Sequence, residues 1–499
     1  MVVKINNSLQ VVNEMKNLLA CLLLVLALSA LNLRAAESQV TISIDAKSPG
    51  SAIAPDFSGL SFEASLLLPN ENGVRYFRPD NLPLIHLFHT LGIKSLRIGG
   101  NTSDRDAKQL PSDADFDSLF AFARAAGVKV TYCLRLHNSD PQTAAATAKS
   151  IMSHYAAQMD CFSIGQEPSA YPVETNDTRP NSERMGAGKE KYQYSTYAAQ
   201  WKEFAAAIIA AAPDIKFCGP SVHNNGSWAQ KFMTDFAKDN HVTLITEHLY
   251  AGGAGGKVPT PEIGRDRMLS EDFIRAYQKL YDSFVPMALS NGLPYRLEEV
   301  NNYFNGGAKN VSDTFASALW GLDFMYWWAS HDAAGLNFHT GDRVAAGSTL
   351  QPSKYTAFFS TTNGYIIRPL GYGIKAFDLG SHGKIVPMKI SNPENLNLAA
   401  YAVLGDDQAL YLTIINKGHG ATAREANISI QQNGTSFGHG EIISLAVPND
   451  DVSATTGLTL GGAEMKSDGT WDGKWTPLKS VFKINIPAAS AAIVRLRAN

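Results

Sequence analysis

Charge is sparse in this chain and nowhere gathered. Asp, Glu, Lys and Arg make up 18% of the 499 residues, the formal net charge is −3, and neither an acidic nor a basic block occurs. That excludes the basic stripe with which proteins grip nucleic acid or a long polyanion. Cysteine is scarce too. Of four, Cys21 lies in an N-terminal apolar run, which leaves an odd three, Cys133, Cys161 and Cys218. Each sits in an apolar stretch and none has metal-ligand spacing, so the reading is buried free thiols rather than a disulfide framework. Internal repeats and low-complexity tracts are missing. No glycine-rich phosphate turn follows an early strand, which argues against a dinucleotide fold.

Long apolar runs are absent with one exception. Residues 15–36, "MKNLLACLLLVLALSALNLRAA", have the layout of a secretory leader: Lys16 at the charged end, Leu18–Leu31 apolar, then small residues. The run is short for a membrane span. Met15 is a plausible translation start, and residues 1–36 are expected to be removed, taking a net charge of +2 and leaving −5. The expected mature protein is exported to a periplasmic or extracellular space, free of the membrane and without nucleic-acid partners.

What is present is a rhythm. Between about residues 56 and 363, eight short apolar runs alternate with stretches of helical periodicity. The runs are 57–63, 93–100, 128–136, 161–168, 215–222, 242–250, 295–302 and 334–340. Eight strand–helix units over about 300 residues predict a (β/α)8 TIM barrel. From 364 to 499 the periodicity becomes two, between Gly, Asn and Asp turns, as in a β-sandwich. Residues 37–55 also read as strand, so that domain is expected to draw on both ends of the described order, 37–55 and 364–499.

Barrel chemistry collects where the strands end. There the sequence places Glu63, Arg97, Asn101, Gln166, Glu167, Asn224, His248, Tyr250 and Glu299. A charged side chain closing a buried strand is costly unless it has a task or a partner. Two such carboxylates, Glu167 after the fourth run and Glu299 in the seventh, can face one another across a barrel mouth. Two carboxyl groups flanking one bond are what glycoside hydrolysis needs. Arg97, His248 and Tyr250 are placed to keep a nucleophilic carboxylate ionised, and the pKa of Glu167 is expected to be raised, as a general acid requires. No metal motif is found and the chemistry calls for no cofactor. The aromatic run 325–330, "MYWWAS", reads as barrel packing before it reads as a sugar platform.

"IGQEPSAY" and "LEEVNNYFNGGAKNVSDTFASALWGLDF" resemble glycoside hydrolase family 79, which contains β-glucuronidases and heparanase. "LRIGGNTSD", "GPSV", "TEHLY" and "NFHTGD" follow in the matching order. The resemblance implies Glu167 as acid/base and Glu299 as nucleophile. It implies a terminal-sugar pocket involving Glu63, Asn101, Tyr250 and the backbone around Asn305, Gly306 and Gly307, with His248 near the nucleophile. Four positions depart from the pattern. Gln166 stands where the family usually has Asn, and Phe304 and Phe338 stand where it has tyrosines in or beside the uronate pocket, unless neighbouring Tyr303 serves instead. Glu298 replaces a small residue. The expected activity is a retaining exo-β-glycosidase on small glycosides or oligosaccharide ends, a β-glucuronidase first, a neutral-sugar β-glycosidase second, and an inactive carbohydrate-binding protein third.

Overall fold

The computed structural model describes residues 39–171, 192–342, 352–433 and 437–498. The expected leader, residues 1–36, lies outside them. Eight parallel strands close into a barrel: β2 (Ser58–Glu63), β3 (Ser95–Gly99), β4 (Lys129–Leu134), β5 (Met159–Ile164), β6 (Phe217–His223), β7 (Val242–Tyr250), β8 (Tyr295–Asn301) and β9 (Gly335–His339). They fall on the eight apolar runs of the sequence. β9 returns to β2 with Ser58 opposite Leu336 and Leu60 opposite Phe338, which completes the ring. The TIM barrel expected from the sequence is therefore the fold.

Helix signals are local and clear. Residues Asp113–Ala126 start with a capping box, in which Ser112 and Asp115 satisfy each other's backbone N–H, and stop at Gly127 in the left-handed region. The helix Phe315–Ala329 is buried all round, because the barrel covers one side and a second helix, Pro369–Gly380, the other. Phe377 packs on Tyr326 at 4.7 Å between ring centres and on Phe57 at 5.2 Å. This second helix follows the last barrel strand and completes the outer ring. The boundary drawn at residue 363 thus falls short of it. Trp327 and Trp328 pack against Tyr277 within the same layer, as barrel packing.

The C-terminal region forms two sheets. One has four strands in the order β13 (Met388–Ser391), β1 (Gln39–Asp45), β16 (Ala426–Asn433), β20 (Lys483–Ile486). β1 runs antiparallel to β13 and parallel to β16. The larger sheet is centred on β14 (Leu398–Gly405), β15 (Leu410–Asn416), β21 (Ser490–Ala498) and β17 (Phe437–Ala446). Its strands have two apolar faces, and alternation sends Leu410, Leu412 and Ile414 to the small sheet and Ile415 to the barrel side. A buried ion pair, Lys417 Nζ to Asp323 at 2.8 Å, joins this sheet region to the barrel helix, and Tyr401 donates to the same carboxylate at 2.7 Å. No helix among the described residues is long and apolar enough to cross a membrane.

The two outer helices approach so closely that a Cβ on Gly373 would lie 2.4 Å from the Ala318 carbonyl oxygen. Replacing a mid-helix glycine by alanine gains about 1 kcal/mol of helix propensity, whereas overpacking costs about 1–3 kcal/mol. Gly373→Ala is expected to be destabilised on balance, read as a lower Tm by calorimetry. An unchanged or raised Tm would show that the helices can part at no cost.

Candidate active site

The site is built around a charge that has no water. Arg97 is inward-facing on β3 and fully buried. Its guanidinium curls back over its own strand, so that a Cβ on Gly99 would lie 2.3 Å from Cζ, and a Cβ on Gly100 would strike the Glu63 carboxylate at 2.4 Å. Only glycines fit beneath these two groups, and Gly100 also has φ 73°. Arg97 Nη1 donates to Glu299 Oε2 at 2.6 Å and to Ser61 Oγ at 3.2 Å, and Nη2 donates to Gln166 Oε1.

Glu299 collects three donors. Besides Arg97, Gln166 Nε2 reaches Oε2 at 3.0 Å and the Tyr250 hydroxyl reaches Oε1 at 2.9 Å. The longer Gln166 thus does deliver its amide to the carboxylate. Burial by itself would raise the pKa of Glu299, but the charges of His339, His248 and Arg97 and the Tyr250 bond outweigh it and hold the carboxyl well below its usual range.

Glu167 is placed by strained backbone. After β5 the chain turns through Gly165 (φ 90°), and Glu167 itself is left-handed at φ 47°, ψ 54°. A non-glycine residue there costs about 1–3 kcal/mol and persists only where its surroundings enforce it. They do: Glu167 N–H donates to Ser221 O at 2.9 Å, and buried Asp104 accepts from Gln166 N at 2.9 Å, His137 N at 2.6 Å, Leu136 N at 3.2 Å and the Tyr171 hydroxyl. The Glu167 side chain accepts from His248 Nδ1 at 3.1 Å and faces Arg105 Nη2 at 3.4 Å. One oxygen of Glu167, one of Glu299 and a His248 nitrogen all lie within 4.8 Å of one another.

The expectation of a raised pKa for Glu167 is overturned in the free protein. Burial raises it and the charge of Glu299 adds to that, but the His248 hydrogen bond and the charges of His248 and His223 outweigh both, and the net direction is down. His248 carries the complement. Burial works against its charge, yet Glu299, Glu167 and Glu298 surround it and push it up to about 9. His248 thus stands as the cation between the Glu167 and Glu299 carboxylates, 3.1 Å and 3.8 Å from Nδ1.

Glu298 and Glu299 both point inward, although neighbours on a strand face opposite ways. The cause is a β-bulge. Against β7 the register runs from Glu247–Leu297 to His248–Glu299, and against β9 from Leu297–Leu336 to Val300–Phe338. Glu298 is the extra residue, and the bulge re-aims it under His248, with Nε2 at 3.5 Å from Oε1.

The remaining expected residues divide. Glu63 is near, accepting from Thr102 N at 2.8 Å and Asn101 N at 3.3 Å while His339 Nε2 stands 3.6 Å away. Asn101 accepts from Arg105. Phe304 lies at the rim against His223 (5.6 Å) and Tyr250 (6.2 Å), and its strand-like pairing with Ala254 ties two mouth loops together. Asn305, Gly306 and Gly307 follow it, all with positive φ. Asn224 is exposed, its backbone N–H on His248 O at 3.0 Å. Two expectations fail. Phe338 points outward, between Trp320 and Phe324, because its neighbours Asn337 and His339 take the inward positions of β9. Tyr303 is buried behind the site on Phe273, its hydroxyl on Gly264 O at 2.9 Å, so it replaces neither missing hydroxyl. Sequence reasoning missed Asp104, Arg105 and Tyr355. Tyr355 is buried 6.1 Å from the Tyr250 ring, its carbonyl held by Asn301 Nδ2 at 3.3 Å, and no spacing signal joins it to the site.

Buried Glu247 points to the start of the helix Gly226–Phe236 and accepts from Asn225 N at 3.4 Å. Burial pushes its pKa from 4.5 up to about 8. Glu247 and His248 both bind protons more tightly folded than unfolded. Their stabilisation is complete below about 4.5 and 6.5 and is lost as pH rises through about 8 and 9 respectively. Tm should therefore fall from pH 6.5 to 9, and Glu247→Gln should flatten that slope. Parallel wild-type and variant Tm curves would refute the assignment to Glu247.

Comparison with known proteins bears on the fold and the family. Residues 111–325, which include both Glu167 and Glu299, match glycosyl hydrolase family 79, N-terminal domain. A β-glucuronidase of Aspergillus niger is 24% identical over 202 residues, covering 36% of this chain and 34% of the relative. Similar solved folds are a 4-O-α-L-rhamnosyl-β-D-glucuronidase from Fusarium oxysporum (TM-score 0.68, 16% identity, 91% of this chain and 99% of that one) and a family 51 arabinofuranosidase from Xanthomonas axonopodis pv. citri (TM-score 0.62, 13% identity, 92% and 100%). Residues 111–325 of the (β/α)8 barrel described above are thus similar to the N-terminal domain of glycosyl hydrolase family 79, and that likeness supports a glycosidase.

Proposed function

We propose that the protein is a retaining exo-β-glycosidase, first of all a β-glucuronidase, with Glu299 as nucleophile and Glu167 as acid/base. The observation that carries the reading is the spacing of the two carboxylates: an oxygen of each lies within 4.8 Å of the other. Retaining enzymes hold their carboxyl groups about 5–5.5 Å apart, while inverting ones leave room for water at about 6.5–9.5 Å. Glu299, ionised by its three donors, attacks the anomeric carbon while Glu167 protonates the leaving oxygen. Glu167 then takes a proton from water, which releases the sugar from Glu299 with its configuration retained.

A uronate carboxylate has candidate donors in the Tyr355 hydroxyl and the backbone N–H groups of Gly306 and Gly307, on one side of the mouth. Hydrogen bonds to a charged group contribute about 1.5–3 kcal/mol each. The glucuronidase named among the relatives supports this choice. A second reading, a neutral-sugar β-glycosidase, is favoured by Phe304, which brings a ring and no hydroxyl to the rim between His223 and Tyr250. The leader-like residues 15–36 support export, so that glycosides met outside the cytoplasm are the natural substrates.

Purified protein is expected to hydrolyse 4-nitrophenyl β-D-glucuronide faster than the β-glucoside, β-galactoside and β-xyloside, with the β-anomer as first product by NMR. Glu299→Gln and Glu167→Gln should each lower kcat by about 10³-fold or more, at least the scale of removing a proton-transfer group. Faster release from a neutral glycoside would transfer the assignment to the second reading. Initial formation of the α-anomer would sink the retaining mechanism.

A further inference from the structure

Glu298 has no place in the two-carboxylate scheme, yet it is 1% exposed and charged chemistry surrounds it. Among the described residues, neither of its oxygens meets a donor at hydrogen-bond distance and angle. A buried carboxylate without compensation is expensive. Its cationic neighbours are Arg97 and His248. Arg97 is committed to Glu299 and Gln166. Beside the neutral Ser221 hydroxyl, His248 is the cation left to it, with Nε2 3.5 Å from Glu298 Oε1 and, across the ring, Nδ1 3.1 Å from Glu167 Oε1.

We infer that Glu298 is a positioning residue: through His248 it orients the imidazolium that binds the acid/base Glu167 and sets the pH at which that acid loses its proton. The inference rests on the role proposed above for Glu167. The ring stands between two carboxylates, and a doubly protonated imidazole can donate to both at once. The bulge at Glu298 exists in the right place to supply the lower of the two. Other groups facing His248 are Glu299 at 3.8 Å and Arg97, which attract and repel its charge respectively, with His223 on β6 and Glu247 beside it on β7. Glu167 is faced in addition by Arg105 and His223. Among the described residues Glu298 forms the ion pair on the Nε2 side of the ring, while Glu167 and Glu299 lie on the Nδ1 side.

The sign of the effect does not depend on which partner holds the shared proton. Glu167 and His248 titrate as a pair. Removing a nearby negative charge lowers the proton affinity of both members. Glu298→Gln, which keeps the shape, should therefore move the alkaline limb of the kcat/KM profile to lower pH by about one unit. Glu298→Asp, which keeps the charge, should restore much of it. A limb that stays in place in folded Glu298→Gln overturns the inference.

A second measurement needs neither turnover nor any change at Glu298. In the intact protein carrying ¹⁵N-histidine, the His248 ring, assigned by its loss in His248→Gln, should give the signals of a doubly protonated imidazole at pH 7.5. A neutral ring at that pH overturns the inference. Absence of any glycoside hydrolysis would instead sink the functional reading, and the histidine titration would still decide this one.

Discussion

The barrel mouth is organised by one buried guanidinium. Arg97 sits where water cannot solvate it, and its two Nη groups are met by acceptors. Glu299 supplies the charge, Ser61 and Gln166 the remaining acceptors, and two glycines the room. Removing one partner of such a pair leaves a charge stranded at a cost of about 3–5 kcal/mol. The ion pair is therefore weak as a source of stability but strong as a fixture. It keeps a carboxylate charged, aimed and short of water, which is the condition under which a carboxylate attacks carbon.

The acid side is governed by sharing. Glu167 and His248 hold their proton jointly, with Glu299 and Arg97 biasing where it rests. A strong neighbouring cation in the free protein lowers the affinity of Glu167 for the proton that its proposed role has it deliver. Negative charge building on a leaving oxygen beside it changes that balance, since the same hydrogen bond that disfavours protonated Glu167 at rest stabilises its anion once the proton has gone.

The barrel was legible because each of its eight apolar runs ends in a turn or a polar cluster and each is followed by helical periodicity. Glu167 and Glu299 were legible because carboxylates at buried strand ends are conspicuous. Phe338 was misjudged, although alternation along Asn337-Phe338-His339 already sends it outward. Glu298 was invisible in role, because a bulge cannot be seen in "YRLEEVNN" and period two would have pointed it away from Glu299. Asp104, Arg105 and Tyr355 lay hidden for another reason: their partners are fixed by loops that cross the barrel mouth, and no local spacing records such meetings. The helix Pro369–Gly380 was read into the β region because the change of texture begins just before it.

β1 has a consequence for how the chain acquires its shape. It is the first described element, yet its partners are β13 and β16, some 350 to 390 residues later, with the whole barrel between them. An emerging chain must therefore carry an unpaired strand, "QVTISID", past the completion of eight others. The barrel can close on its own strands while the smaller sheet waits for material not yet made. The smaller sheet thus joins segments far apart in the described chain, and its long-range pairing carries a loop-closure cost that the strand-to-neighbouring-strand barrel does not.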